Sequence, residues 1–402
     1  MLREPSEPEG LSAASESSAY SRALNRLREW IERHDYAGFE PYDLLNSPYL
    51  QGRWSRNKFV APFIIQAGRR FGGLRLRSWL RVPPSRNPKA LALCLLAYCD
   101  LQRLGEKCIQ RADSLKRLLL DLKSPVEDSF AWGYDWEFVA LRGAVLKKFS
   151  PNSIATYFCA KAFLECAEVF GDAEAAAVAH SAGEFLAHRL NRSVETEKHI
   201  SFSYTPADRT RIYNNSALTG ALLARLATGD HELEYLSLAR RSMRYLADQQ
   251  SADGSWTYGA GTFQNWIDGF HTGYNLCALL EYQQASGNAS FAQDIDAGYD
   301  FYKRSFFRKD GAPKYFHDRT NPLDIHSCSQ AILTFCAFRH RDPEALALAK
   351  RTADWTLDNM TSPEGAFFYQ RHRWRTNRTP YMRWGQAWMF RALAALQRAV
   401  LS

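Results

Sequence analysis

The chain has 402 residues, 46% of them hydrophobic, a net charge of +8 and 8 cysteines. That apolar content supports a large buried core, and length alone would allow two or three domains. No apolar run approaches the ~18 residues of a membrane span. No zinc-finger, RNP or helix-turn-helix pattern marks a nucleic-acid partner, and no cysteine pair forms a CxxC, so the thiols read as free and buried in a reducing compartment.

Residues 1–16 are polar and lack the apolar core of a secretion signal. They predict disorder, and the protein is expected to be cytoplasmic. A charged amphipathic helix follows over about 17–33. Residues 36–86, with "PYDLLNSP", "FGG" and "RVPPSRNP", repeat nowhere else and read as a long basic insertion or lid. Asp43 and Asn46 either ride on that lid to a binding site or close an Asx-rich turn. Between Asp43 and Asp100 there is no acid, while Arg53, Arg56, Lys58, Arg69, Arg70, Arg75, Arg77, Arg81, Arg86 and Lys89 follow one another. Such a stretch attracts phosphates, carboxylates or an anionic membrane surface, or is a solvated face. A second basic cluster, "RHRWRTNRTPYMR", covers 371–383.

Beyond the insertion, two kinds of helix alternate. Apolar ones fall near 87–105, 151–171, 213–230, 268–287, 325–340 and 381–397, and amphipathic ones near 109–122, 174–190, 233–249, 290–306 and 343–360. Glycine turns followed by aromatics join them, as in "QQSADGSWTYG", "FFRKDGAPKYF" and "NMTSPEGAFFYQ". Helices that are apolar nearly all round belong inside, and amphipathic ones outside. Six of each, repeating every 53–65 residues, predict an all-α (α/α)6 toroid spanning 17–402 as one domain. Small residues such as Thr219–Gly220 and Thr272–Gly273 allow the inner helices to pack closely.

In a toroid the N-termini of the inner helices converge on one mouth. Their unsatisfied N–H groups and partial positive charge favour anionic ligands. That mouth should hold Asn152, Asn214, Asn215, Trp266, Asp268 and His271. The last two repeats add Asp324, His326, Tyr381, Arg383, Trp384 and Gln386, and the connecting loops add Tyr134, Asp135, Trp136, Tyr204, Asp208, Trp256, Tyr258, Lys314, Tyr315 and Arg371. The opposite mouth receives "RLGE", "VFGD", "ATGD" and "ASGN", which are C-caps and tight turns with little chemistry.

The stretch "NWIDGFHTGY" (265–274) places Asp268 and His271 one turn apart on one helix face. Asp268 either caps the helix or pairs with His271 for catalysis. Asp324 and His326 repeat that composition one unit later. Asp135, Asp208 and Asp268 come from separate repeats, and any two would make a general acid and base across a sugar ring. Arg383 and Arg371 would clamp a carboxylate or phosphate, or be solvated. No HExxH-like spacing supports a metal site, and no cofactor is expected.

Gln249–Trp256, "QQSADGSW", resembles the QW motif of terpenoid cyclases, which are also α/α toroids; their DxDD acid and a DDxxD metal motif are missing here. "WIDGFHTGYNL", "DGAPKYF" and "RTPYMRWGQAWMFRAL" look more like toroid proteins of bacterial polysaccharide biosynthesis. Those relate loosely to six-hairpin glycosidases, unsaturated glucuronyl hydrolases and glucuronyl C5-epimerases. The resemblance implies the toroid fold over most of 36–398 and an enzyme acting on an anionic, uronate-containing or lipid-linked saccharide. The reaction would be glycosidic cleavage or epimerisation, near the inner face of a membrane contacted through 53–89.

On this reading Asp268 and His271 are the main acid/base pair, with Asp135 or Asp208 as the second carboxylate. Histidine, with an ordinary pKa of ~6.5, serves as either acid or base near neutrality. Arg383 and Lys314 would bind the substrate's charge, and Tyr134, Trp256, Trp266, Tyr274 and Trp384 would stack on sugar rings. A non-catalytic glycan-binding scaffold and an isoprenoid-handling toroid are the alternatives; the latter requires an apolar funnel.

Overall fold

The computed structural model describes residues 13–50, 52, 57, 60–139 and 145–401. Helix α1 (Ala13–Arg33) begins inside the segment expected to be disordered; residues 1–12 lie outside the described residues. The insertion contains α2 (Val60–Phe71) and α3 (Leu74–Trp79). Then α4 (Pro88–Arg103), α6 (Ser153–Phe170), α8 (Tyr213–Leu226), α10 (Gly269–Ser286), α12 (Ile325–Phe338) and α14 (Ala387–Leu401) form an inner ring. Each packs on the next, and α14 packs on α4 to close it. Outside stand α1, α5 (Ile109–Asp121), α7 (Ala173–Glu184), α9 (Glu232–Ala247), α11 (Ala292–Phe306) and α13 (Ala345–Met360). The fold is an (α/α)6 toroid.

Burial separates the two rings as periodicity predicts. Every residue of α4 from Pro88 to Leu101 is buried, whereas α5 buries only Ala112, Leu115 and Leu119, a single stripe. Four inner helices start at side-chain caps: Asn87, Asn152, Asp268 and Asp324 each accept a backbone N–H of the first turn. Gly171 and Gly287 end α6 and α10 in left-handed conformation, with φ of +67° and +68°.

Close packing in the ring depends on missing side chains. A Cβ on Gly273 would lie 2.7 Å from Thr334 Oγ1 and 2.9 Å from Gln330 Cγ. Gly273→Ala is therefore expected to cost about 1–3 kcal/mol by overpacking α10 against α12, read as a lowered urea midpoint at unchanged m-value.

The insertion is anchored rather than loose. Asp43 pairs with Arg77 at 2.8 Å, and Arg77 also donates to the Glu40 carbonyl at 2.6 Å. Asn46 donates to the Asp135 carbonyl at 3.1 Å. Asp43 and Asn46 thus hold the insertion together and do not line the cavity at the inner-helix N-termini. Arg375 donates to the Arg70 carbonyl and the Tyr381 hydroxyl to the Gly72 carbonyl, fixing α2 and α3 to the C-terminal hairpin. Among the described residues no helix is long and apolar enough to cross a membrane.

Candidate active site

A cavity of about 550 Å³ opens at the N-terminal ends of the inner helices. All six units contribute to it. Lys89 comes from α4, Ile154 from α6, Asn214 from α8, and Phe270, His271 and Tyr274 from α10; His326 comes from α12, and Arg383 and Trp384 from the π-turn before α14. Loops add the aromatic wall: Tyr134, Trp136, Tyr204, Tyr258, Trp266 and Tyr315. Pairs of these rings stack, Tyr134 on Trp136 and Tyr258 on Trp266, both with centroids 4.5 Å apart. The insertion covers one side with Tyr42, Gln66 and Arg69.

Asp268 and His271 do meet, but as orienter and oriented. Asp268 Oδ1 accepts the His271 backbone N–H at 2.9 Å, and Oδ2 accepts the Trp266 indole N–H at 2.9 Å and faces His271 Nδ1 at 2.7 Å. The carboxylate is buried and lines no part of the cavity, whereas the His271 ring does. With Nδ1–H held by the carboxylate, Nε2 carries the free lone pair of a base.

The second pair is built differently. Asp324 accepts the His326 backbone N–H at 2.8 Å, the Trp384 indole at 3.0 Å and the Gln370 amide at 2.6 Å, and makes no bond to the His326 ring. His326 Nε2 instead meets the Tyr274 hydroxyl at 2.6 Å, and no partner reaches Nδ1 among the described residues. Burial, with Lys89 and Arg383 nearby, holds His326 well below the ordinary histidine range, so it is a neutral imidazole at pH 7. Tyr274 lies between the histidines, its ring centre 5.9 Å from that of His271.

Burial raises Asp324 to about 6 against the pull of its three donors. The folded state then binds the proton more tightly than the unfolded one, so this group's contribution to stability falls as pH rises from about 4 to 6. Asp324→Asn removes that dependence. Wild type should lose about 2 kcal/mol relative to Asp324→Asn between pH 4 and pH 7, measured as the difference between their urea unfolding free energies at the two pH values.

Arg383 pairs with the buried Glu40 at 2.9 Å and lies over the Trp136 ring, 5.0 Å from its centre. Burial lifts Glu40 to about 8 even beside that guanidinium. Arg69, by contrast, faces the cavity with no ion pair among the described residues.

Several expected site residues hold the scaffold instead. Asp135 is buried outside the cavity, where its carboxylate accepts from the Ser85 hydroxyl and the Asn87 amide. Asp208 reaches the cavity wall, but both oxygens are filled by Tyr204, Thr205 and Thr210 in its own turn, at 2.6–3.3 Å. Neither is a free second carboxylate. Asn152 caps α6, and Asn215 holds the Phe202 and Ser203 carbonyls. Gln386 binds both backbone groups of Phe367, and Tyr381 is buried against Arg77. Trp256 packs on Gly298 between outer helices and donates to the Leu246 carbonyl, so it cannot stack on a ligand. Lys314 is tied to the His317 carbonyl and Arg371 is exposed beside Asn359; neither lines the cavity.

Lys89, Arg69, Gln66, Tyr42 and Phe270 were not anticipated at the site. Lys89 had a signal: it follows the cap Asn87 as His326 follows the cap Asp324. Arg69 had none, because the insertion has no repeat to align. The opposite mouth is not bare either. A second cavity of about 550 Å³ there is edged by Lys161, Glu281, Arg225 and Glu165, which pair with one another at 2.8–3.3 Å.

Neither a protein-family model nor a curated protein matches the chain. Solved structures do. The chain is similar to cellobiose 2-epimerase from Bacillus thermoamylovorans, with TM-score 0.60, 13% identity, and coverage of 78% of this chain and 88% of that one. It is similar to an unsaturated glucuronyl hydrolase specific for heparin, with TM-score 0.58, 13% identity, and coverage of 79% and 87%. The Lin0763 protein from Listeria innocua aligns with TM-score 0.61 and 12% identity over 94% of this chain and 96% of its own. At such identity the likeness establishes the six-hairpin toroid fold.

Proposed function

We propose that the funnel is the active site of an enzyme that binds an anionic, uronate-containing saccharide and moves a proton at a sugar carbon by acid/base catalysis. The observation that carries this is His271: Asp268 fixes its Nδ1, and the ring faces an aromatic cavity that also holds Arg69, which has no ion pair among the described residues. Of the two reactions weighed, epimerisation fits better than glycosidic cleavage. Glycosidases ordinarily need two available carboxyl groups, and Asp208, the one acid on this wall among the described residues, is consumed by its own turn. His271 and the Tyr274–His326 pair would serve as the two proton-transfer groups. Enzymes named as an epimerase and a glucuronyl hydrolase use the same fold, which supports carbohydrate as the substrate class.

The setting we favour is bacterial polysaccharide biosynthesis in the cytoplasm, on a precursor or lipid-linked intermediate. The insertion's outer face supports contact with an anionic membrane: Phe63 and Trp79 are 75% and 76% exposed, beside exposed Arg70, Arg75 and Arg81. Arg77 and Lys89 take no part in this contact, since both are buried, and Arg53, Arg56 and Lys58 lie outside the described residues. An isoprenoid substrate would want an apolar funnel, and this one carries Arg69, Lys89 and Arg383.

Thermal shift with uronate oligosaccharides, neutral oligosaccharides and polyprenyl phosphates tests the substrate class. Uronates should stabilise wild type and lose most of that effect in Arg69→Met. Stabilisation by polyprenyl phosphate alone, or equal stabilisation by neutral sugars, would overturn it.

A further inference from the structure

Lys89 is the buried lysine that the acid/base scheme leaves unused. It is 3% exposed, on the second residue of α4 at the floor of the funnel. Its Nζ lies 4.2 Å from the ring centre of Phe158, 5.1 Å from that of Trp388 and 5.6 Å from that of Tyr274. No hydrogen bond or ion pair reaches Nζ among the described residues. The charged and titratable groups around it are Arg383, Glu40, the Cys159 thiol and the His326 imidazole, and Glu40 is already engaged by Arg383.

These surroundings favour a neutral amine. Ring faces stabilise a desolvated ammonium by less than an unpaired buried charge costs. The positive end of α4 and the Arg383 charge oppose the ammonium form as well. The amine is accordingly held well below the ordinary lysine range, chiefly by burial. A desolvated lysine beside another cation in an apolar pocket is an activated nucleophile.

We propose that the Lys89 amine captures the carbonyl carbon of the saccharide's open-chain form as an imine. This rests on the saccharide reading above and makes the reducing end the reacting end. The nitrogen lone pair adds to the carbonyl carbon, and the C–N bond forms as the C–O π bond breaks. The carbonyl oxygen then leaves as water with the two protons of the amine. Once protonated, the imine withdraws electrons from the adjacent carbon. A base can remove that carbon's proton, and a proton returned to either face gives either epimer. Water then hydrolyses the imine and frees the lysine, so no oxidant or reductant is consumed.

The test is reductive trapping. The full chain is incubated with D-glucuronic acid, D-glucose or glycolaldehyde and cyanoborohydride, and labelled peptides are followed by mass spectrometry. Lys89 should acquire the reduced adduct at least about tenfold faster than the exposed Lys198 and Lys309, since each pH unit of pKa depression raises the neutral fraction about tenfold at pH 7. Lys89→Met, which removes the amine without leaving a charge, should lose the adduct there and lose turnover, while keeping its circular dichroism spectrum and its saccharide-dependent thermal shift. Labelling of Lys89 no faster than Lys198 and Lys309 with all three probes would overturn the proposal. Proton exchange on the sugar without that adduct would likewise overturn the imine while sparing the acid/base reading. An adduct without any exchange would sink the acid/base reading and spare the imine.

Discussion

Replacing His271 with alanine is expected to lower turnover of the saccharide by about 10²–10⁴-fold, the ordinary contribution of a positioned acid or base. The fold should survive. The ring is partly exposed to the cavity, and the Asp268 cap bonds the residue's backbone N–H, which alanine keeps. Asp268→Asn separates orientation from capping. Asparagine caps as well as aspartate, so α10 should stay intact, while the Trp266 indole N–H loses its acceptor at a cost of about 1–3 kcal/mol. An amide N–H turned toward His271 Nδ1 would instead favour the tautomer with its proton on Nε2, removing the base. The expected signature is a lower kcat with little change in KM, and an altered pH profile. Equal kcat in wild type and His271→Ala would refute the assignment.

Asp43→Ala is expected to destabilise the protein by about 3–5 kcal/mol, the cost of leaving one partner of a buried ion pair uncompensated. Arg77 is 0% exposed and lies over the Tyr381 ring, 4.8 Å from its centre. Without Asp43 its charge keeps only the Glu40 carbonyl, for Nη1 already has no hydrogen-bond partner among the described residues. Urea unfolding measures the loss. The double variant Asp43→Ala/Arg77→Met should recover much of it, because the stranded charge goes too. Affinity for uronates should fall with the single variant, since the same segment carries Tyr42, Gln66 and Arg69 to the cavity. A loss under 1 kcal/mol would mean that Arg77 finds water or another acid.

The toroid was legible because two helical periodicities alternate through the chain, and caps recur at aligned places. Asn87, Asn152, Asp268 and Asp324 cap four of the inner helices, whereas α8 starts at Ile212 without a side-chain cap and Asn215 lies within its first turn. The same regularity drew attention to the capping carboxylates Asp268 and Asp324. A capping carboxylate turns back to the first-turn N–H groups and is spent there. The side chains that enter the funnel stand just beyond the caps: Lys89, His271, Tyr274 and His326. Asp208 was misjudged for a related reason, since a carboxylate followed two residues later by a threonine closes its own turn. Trp256 looked like a ligand platform, yet Gly298 leaves a space on the outer ring that its indole fills. The insertion was readable as irregular and basic, but which of its arginines would be buried, paired or aimed at the cavity depends on contacts with 370–384 that no local pattern encodes.

The most direct test is proton NMR of the wild-type protein in D₂O with reducing uronate-containing oligosaccharides at saturating concentration. The account predicts loss of a carbon-bound proton signal next to the reducing carbonyl and the appearance of the epimer's resonances, both absent with His271→Ala. Saturable binding with an unchanged spectrum after prolonged incubation would contradict it, and would make the funnel a glycan-binding site without chemistry.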